Sequence, residues 1–193
     1  MSSKEFLENI SDVFQTVDLI SFYKFAELMG FSENHINLYA QSNTKPNVLN
    51  IKIDKESSGS LRDFFKLHRE SSIHWRPFLS EGYYIWLDID RTDTIADSPV
   101  EPTCLVRSMR GFHAYWKISE LDFSKELYDE IFKIFSKTLG ADEKYIAGAC
   151  MRIPGLADSR STEKQFRLTI VGGNGESYLL DDLYRLIDKQ GDQ

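Results

Sequence analysis

The stretch Tyr83 to Asp90, reading YYIWLDID, constrains this chain more than any other segment. An apolar, aromatic-rich run without glycine or proline favours a β-strand, in which alternate side chains share a face. Ile85, Leu87 and Ile89 then fall on one side, and Trp86, Asp88 and Asp90 on the other. Two carboxylates side by side on a strand face repel each other unless a cation neutralises them, and a divalent metal with oxygen ligands is the usual solution. The bland alternative is a strand that ends at a solvated acidic turn, with Arg91 and Asp93 following.

A second segment sharpens that choice. Thr103 to Arg107 and Gly111 to Ile118 read as two strands joined by the tight turn Ser108-Met109-Arg110, which is a hairpin pattern. Phe112, Ala114, Trp116 and Ile118 share one face, and Gly111, His113, Tyr115 and Lys117 the other. If this strand and the first lie in one sheet, His113 faces the same side as the aspartates. Carboxylates, an imidazole and a lysine on one face of an otherwise apolar sheet have the composition of a cleft.

Around these strands the pattern is mixed. From Ser3 to about Ala40 it is helical, in three pieces: one through Phe6, Ile10 and Phe14, a second through Leu19, Phe22, Phe25 and Leu28 that Gly30 ends, and a short third from Ser32 through Ile36 and Tyr39. Gln41 to Pro46 is a polar connector, Val48 to Ile53 a strand, Ser57 to Ser60 a small loop, and Leu61 to Leu67 a helix. Phe123 to Leu139 is the clearest amphipathic helix, with Leu127, Ile131, Ile134 and Phe135 on one stripe. A strand at Phe166 to Val171, the turn Gly172-Gly173-Asn174-Gly175 and a helix from Leu180 to Lys189 complete the chain. The fold class expected is α+β, a mainly antiparallel sheet with helices on one side. A helical N-terminal region over residues 1–45 would precede a second domain over residues 46–193.

Bulk properties narrow the function classes. The 193 residues carry a formal charge of −7, which argues against a protein that coats nucleic acid non-specifically but leaves room for local basic strips. Cys104 and Cys150 have no partner at zinc-ligand spacing, so neither a disulfide framework nor a zinc finger is expected. Lys4, Glu5 and Glu8 stand where a secretory signal would need an apolar run, and no stretch approaches a membrane span. A soluble cytoplasmic protein without a membrane partner is the expectation.

Taken in order, the motifs resemble those of the archaeo-eukaryotic primase superfamily, in particular its RepB-like and prim-pol domains. The hydrophobic strand ending in Asp-x-Asp is Leu87-Asp88-Ile89-Asp90, and the Ser-x-x-Gly-x-His hairpin is Ser108-Met109-Arg110-Gly111-Phe112-His113. The third element, an acidic residue upstream of Arg-x-Pro-Gly, is matched by Asp142 ahead of Arg152-Ile153-Pro154-Gly155. The resemblance spans Tyr83 to Leu183 and does not reach the N-terminal helices.

It implies a primase-polymerase catalytic core with an RRM-like sheet, acting as a metal-dependent DNA primase or primase-polymerase. Two Mg²⁺ or Mn²⁺ ions would be held by Asp88, Asp90 and Asp142, with His113 hydrogen-bonded to the triphosphate. Ser108, Arg110, Gly111, Arg152 and Arg160 are the other candidates for nucleotide binding, with Arg107 and Lys117 behind them. The implied partners are a single-stranded DNA template, an NTP or dNTP, and a separate helicase or replication-initiator protein of a plasmid, phage or other mobile element. Asp158 and Glu143 compete with Asp142 as third metal ligand. Leu156 to Arg160 departs from the Asn and Lys that commonly follow Pro-Gly, so Arg160 or Lys164 would replace that lysine.

Other readings fit parts of the pattern. Asp88-Ile89-Asp90-Arg91-Thr92 also matches the nucleophile loop of haloacid-dehalogenase-like phosphatases, which places its first Asp after a strand of a parallel sheet. A primase-like fold without activity, kept as a replication-initiator or partner-binding module, is the non-enzymatic alternative. A rolling-circle nuclease is disfavoured, because Tyr115 stands where its second histidine would be.

Overall fold

A computed structural model of the chain describes residues 19–40, 47–54, 56–68, 71–77, 83–90, 98–119, 124–141, 150–155 and 168–191. The chain divides into two compact units, one formed by Met1–Phe78 with Cys150–Ile170 and the other by Leu79–Ala149 with Val171–Gln193.

In the first unit, helix α1 (Leu19–Leu28) closes where expected. Gly30 takes φ 71°, and Phe31 N–H reaches the Ala26 carbonyl at 2.9 Å while Gly30 N–H reaches that of Glu27 at 3.1 Å. This left-handed stop is one a residue with a Cβ adopts at a cost. The third helix expected at Ser32 to Tyr39 is not formed. Residues Ile36–Ala40 are strand β1, which pairs antiparallel with β2 (Asn47–Ile51) and with β3 (Ile73–Pro77). Ile36, Leu38 and Ala40 alternate into the core, and that period of two outweighs the three-residue spacing of Ile36 and Tyr39. Helix α2 (Ser58–Leu67) begins inside the segment read as a loop. A reciprocal pair holds the approach to it: Asp54 N–H donates to Ser57 Oγ and Ser57 N–H to Asp54 Oδ1. Phe25, Phe31 and Trp75 pack ring against ring at 4.7–5.7 Å. The edge strand β7 (Met151–Arg152) pairs with β3. The helix expected over Phe6 to Phe14 lies outside the described residues.

The second unit is built on β4 (Tyr83–Ile89), β5 (Cys104–Arg107) and β6 (Phe112–Ile118), with α3 (Lys125–Leu139) and, near the C-terminus, α4 (Leu180–Gly191). Strand order is β4-β6-β5-β8, where β8 is Thr169–Gly172, and the short β9 (Ser177–Tyr178) runs parallel to β6. Ile85, Leu87 and Ile89 of β4 join Ala114, Trp116 and Ile118 of β6 in one buried cluster with Ile131, Phe135 and Leu139 of α3 and Leu183 of α4. Trp116 stacks on Phe135 at 4.5 Å, and its indole N–H donates to the Val100 carbonyl. Burying each of these large side chains stabilises the fold by about 1.5–3 kcal/mol. The apolar face is thereby committed to the helices, and the alternate residues of β4 and β6 are left to form a second, chemically different face.

The antiparallel pairing of β4 with β6 removes the phosphatase alternative, because the strand that delivers Asp88 does not sit in a parallel sheet.

Candidate active site

The register of β4 against β6 sets Asp88 opposite His113, Trp86 opposite Tyr115 and Tyr84 opposite Lys117. Directly opposed residues of an antiparallel pair project to the same face, so the imidazole and the carboxylate meet. His113 Nε2 lies 3.5 Å from Asp88 Oδ1. The histidine is 1% exposed, and the Asp88 side chain 19%, so this contact is largely shielded from water. Asp90, one residue past the strand end and on the same face as Asp88, is 59% exposed and meets Arg110 Nε at 3.5 Å. Both aspartates therefore face cations or potential cations supplied by the hairpin of β5 and β6.

The hairpin turn explains the Ser-x-x-Gly spacing. Ser108 N–H donates to the Gly111 carbonyl at 2.9 Å, and Gly111 N–H donates back to Ser108 Oγ at 3.1 Å. Ser108 is 3% exposed. Its hydroxyl closes the turn that carries Arg110 into solvent and aims His113 inward. Arg107, whose guanidinium lies 4.9 Å from the Phe112 ring, is opposite Phe112 in the register and hence on the other face.

A second set of bonds fixes the far end of the hairpin. Thr103 Oγ1 donates to the Glu176 carbonyl at 2.6 Å and accepts from Lys117 N–H at 2.9 Å. Tyr178 OH donates to the Glu101 carbonyl at 2.6 Å. The glycine-rich turn expected at 172–175 is thus a clasp on the start of β5.

Of the other expected site residues, Arg152 lies in the first unit, on β7 directly opposite His74 of β3. Asp142 and Arg160, with Asp158, Glu143 and Lys164, lie outside the described residues. Among the described residues no group of three or more His, Cys, Asp or Glu side chains comes together. Asp88 and Asp90 nonetheless fit one edge of a hard divalent cation. They offer only carboxylate oxygens, from Cα positions about 6–7 Å apart on one strand face.

The reading from sequence missed Tyr115. Its hydroxyl lies 3.4 Å from His113 Nδ1, and the two rings meet edge to face with centroids 6.4 Å apart. The signal was its place two residues beyond His113 on the same strand face.

No family model and no curated protein sequence matches the chain. Solved structures do. The chain is similar to the archaeo-eukaryotic primase domain of the cyanophage S-2L primase-polymerase, with a TM-score of 0.64 and 13% identity over 89% of this chain and 99% of that one. It is also similar to the catalytic domain of primase RepB′ solved in complex with initiator DNA, with a TM-score of 0.58 and 15% identity over 87% and 97% of the two chains. A further structure of primase RepB′ gives a TM-score of 0.60 at 15% identity, over 88% of this chain and 62% of that one. The fold is that of the archaeo-eukaryotic primase and primase-polymerase catalytic domain. Among the described residues no helix is long and apolar enough to cross a membrane.

Proposed function

We propose that this chain is a DNA-templated nucleotidyltransferase, a primase or primase-polymerase that makes primers for the replication of a plasmid, phage or other mobile element. The observation that carries the reading is the register that sets Asp88 against His113, with Asp90 and Arg110 paired beside them, on a primase-polymerase fold. Asp88 and Asp90 would hold Mg²⁺ or Mn²⁺, with Asp142 as third ligand of a two-ion site. Such ions, when bound, acidify an attacking hydroxyl and neutralise charge on the transferring phosphoryl group.

The protein groups then divide the remaining work. Arg110 is exposed and carries a planar set of donors suited to phosphate oxygens. Asp90, which Arg110 meets at 3.5 Å, is one of the carboxylates that would hold the metal. His113, whose Nε2 lies 3.5 Å from Asp88 Oδ1, is the residue assigned to the triphosphate. Ser108 and Gly111 act through the turn geometry that positions both. Arg152 and Arg160 are the further basic groups assigned to triphosphate or template phosphate. Single-stranded DNA is the template, consistent with the RepB′ neighbour having been solved with initiator DNA, and a separate helicase or initiator protein would supply the open strand.

The test is a primer-synthesis assay on single-stranded DNA with Mg²⁺ or Mn²⁺ and labelled ribo- and deoxynucleotides, comparing wild type with Asp88→Ala and His113→Ala. Template-dependent product that disappears in Asp88→Ala supports the reading. Product that persists unchanged in Asp88→Ala rejects the metal-ligand role. No product and no nucleotide binding with either metal identifies the non-catalytic initiator or partner-binding module instead.

A further inference from the structure

We propose that the outward face of the four-stranded sheet in the first unit, centred on Tyr39 and Arg76, is a binding platform for a single strand of nucleic acid. Such a face binds its strand whether or not the carboxylates on β4 turn over nucleotides, so the inference does not rest on nucleotidyl transfer.

The alternation that buries Ile36, Leu38 and Ala40 of β1 with Ile73 and Trp75 of β3 and Met151 of β7 turns the residues between them to the other side. Register arranges these as two rows across the strands. Arg152, His74, Tyr39 and Val48 form one, running from β7 through β3 and β1 to β2, and Arg76, Asn37 and Asn50 form the other. Arg76, Val48 and Asn50 are exposed, and Tyr39 is half-buried.

Three properties of this face match one ligand. The first is charge. Strands β1, β2, β3 and β7 contain no aspartate or glutamate, in a chain with 30 acidic residues and a net charge of −7. Arg76 and Arg152 therefore set up a local positive field that no carboxylate of these strands cancels, and such a field favours a polyanion. The second is a stacking surface: the Arg76 guanidinium lies 4.9 Å from the Tyr39 ring centroid, and ring and guanidinium are both planes on which a base stacks. The third is a pair of amides. Asn50 Nδ2 donates to Asn37 Oδ1 at 3.1 Å, a bond that engages one polar atom of each side chain and leaves the second of each for base edges. An acidic polypeptide would satisfy the charge but make no use of the stacking surface. Across its four strands the sheet measures about 14 Å, room for about four steps of a stacked strand at about 3.4 Å each.

The test is fluorescence anisotropy of the intact protein with a labelled oligothymidylate about a dozen nucleotides long, without metal or nucleotide, so that binding is read apart from synthesis. Arg76→Ala should weaken binding about tenfold and reduce the salt slope by about 0.7, the value for one single-strand phosphate contact. Tyr39→Ala should weaken it at least about fivefold, and Tyr39→Phe should stay within about twofold of wild type, because stacking needs the ring and not the hydroxyl. Val48 is 51% exposed on an edge strand, so Val48→Glu keeps the fold while setting a carboxylate beside Tyr39. It should weaken binding about tenfold or more. The oligothymidylate should also slow alkylation of Cys150, whose thiol lies within reach of the Arg76 charge.

Wild-type affinity in Tyr39→Ala or in Val48→Glu overturns the proposal, and so does a wild type that fails to bind at low salt. Displacement of the oligothymidylate by polyglutamate of equal charge, with Tyr39→Ala indifferent, makes the face a site for acidic polypeptide and overturns it too. Binding that is lost in both variants of a protein that makes no primer leaves the platform in place and rejects nucleotidyl transfer. Primer synthesis by a protein whose binding neither variant disturbs rejects the platform alone.

Discussion

Asp88 and His113 stand directly opposite each other on β4 and β6, with the imidazole Nε2 3.5 Å from the carboxylate. Flipping either strand by one residue would send one of them into the helix-packed core, so the apolar alternation that builds the core also fixes this pair. Asp88→Asn keeps the shape and one acceptor oxygen but removes the charge. Template-dependent synthesis should fall by about 100-fold or more, comparable to the loss of a central electrostatic group in other sites, while the near-ultraviolet circular dichroism stays that of the wild type.

Arg110 separates stability from function. Its side chain is 70% exposed and that of Asp90 59%, and an ion pair in such a setting contributes about 0–1 kcal/mol. Arg110→Ala should leave the denaturant midpoint almost unmoved. The same variant should raise the nucleotide KM about tenfold, since a charge-assisted bond to phosphate is worth about 1.5–3 kcal/mol once formed. Equal losses in stability and affinity would make Arg110 a structural residue.

Ser108 is expected to behave the other way round. Its Oγ is the acceptor for the buried Gly111 N–H, and leaving such a donor unsatisfied costs about 1–3 kcal/mol. Ser108→Ala should therefore lower stability by that amount in urea titration. Any loss of activity should follow from displacement of the turn and appear in kcat as well as KM.

Cys150 offers a pH-dependent readout in the first unit. Burial raises its thiol pKa above the ordinary value, and the Arg76 charge offsets part of that rise. At neutral pH the thiolate fraction is accordingly smaller than for an exposed cysteine, and alkylation by iodoacetamide should be slower. The rate should climb with pH beyond the point where a free thiol levels off. Arg76→Ala should slow it further, because the favourable charge is gone; a faster reaction would contradict the sign. Cys104 is fully buried and should react only on unfolding.

How far the sequence could be read depended on the range of the interaction. The pairing of Asp88 with His113 was legible because two strong period-two patterns each sort polar from apolar residues, leaving one register in which both apolar sets face the helices. Residues 36–40 were misread because Ile36 and Tyr39 also fit a helical step, and a five-residue strand carries too little pattern to choose. What decides it is pairing with β2 and β3, and the β3 partners lie more than thirty residues away along the chain. Arg152 opposite His74 is a contact of the same long-range kind. The turn Ser108 to Gly111 was recognised as a motif, yet its physical content, a serine hydroxyl closing on a glycine amide, became visible only with the hydrogen bonds.

Gly173 gives the sharpest test of the clasp that supports the hairpin. Its φ is 115°, a conformation that side-chain-bearing residues rarely adopt, and a Cβ there would sit 2.5 Å from the Thr103 carbonyl oxygen and 2.7 Å from Cys104 Cα. Both neighbours are backbone atoms at the start of β5, held by the bonds of Asn174 N–H to the Pro102 carbonyl and Gly175 N–H to the Thr103 carbonyl. They cannot yield without moving the strand whose far end leads into the Ser108 turn. Gly173→Ala should therefore destabilise the protein by about 2–3 kcal/mol, strain and displacement together. The neighbouring Gly172→Ala is the control, since its Cβ would meet only the Leu105 side chain at 3.8 Å, and it should cost less than about 1 kcal/mol. Equal denaturant midpoints for the two variants would mean that the close approach at Gly173 does not hold β5 in place.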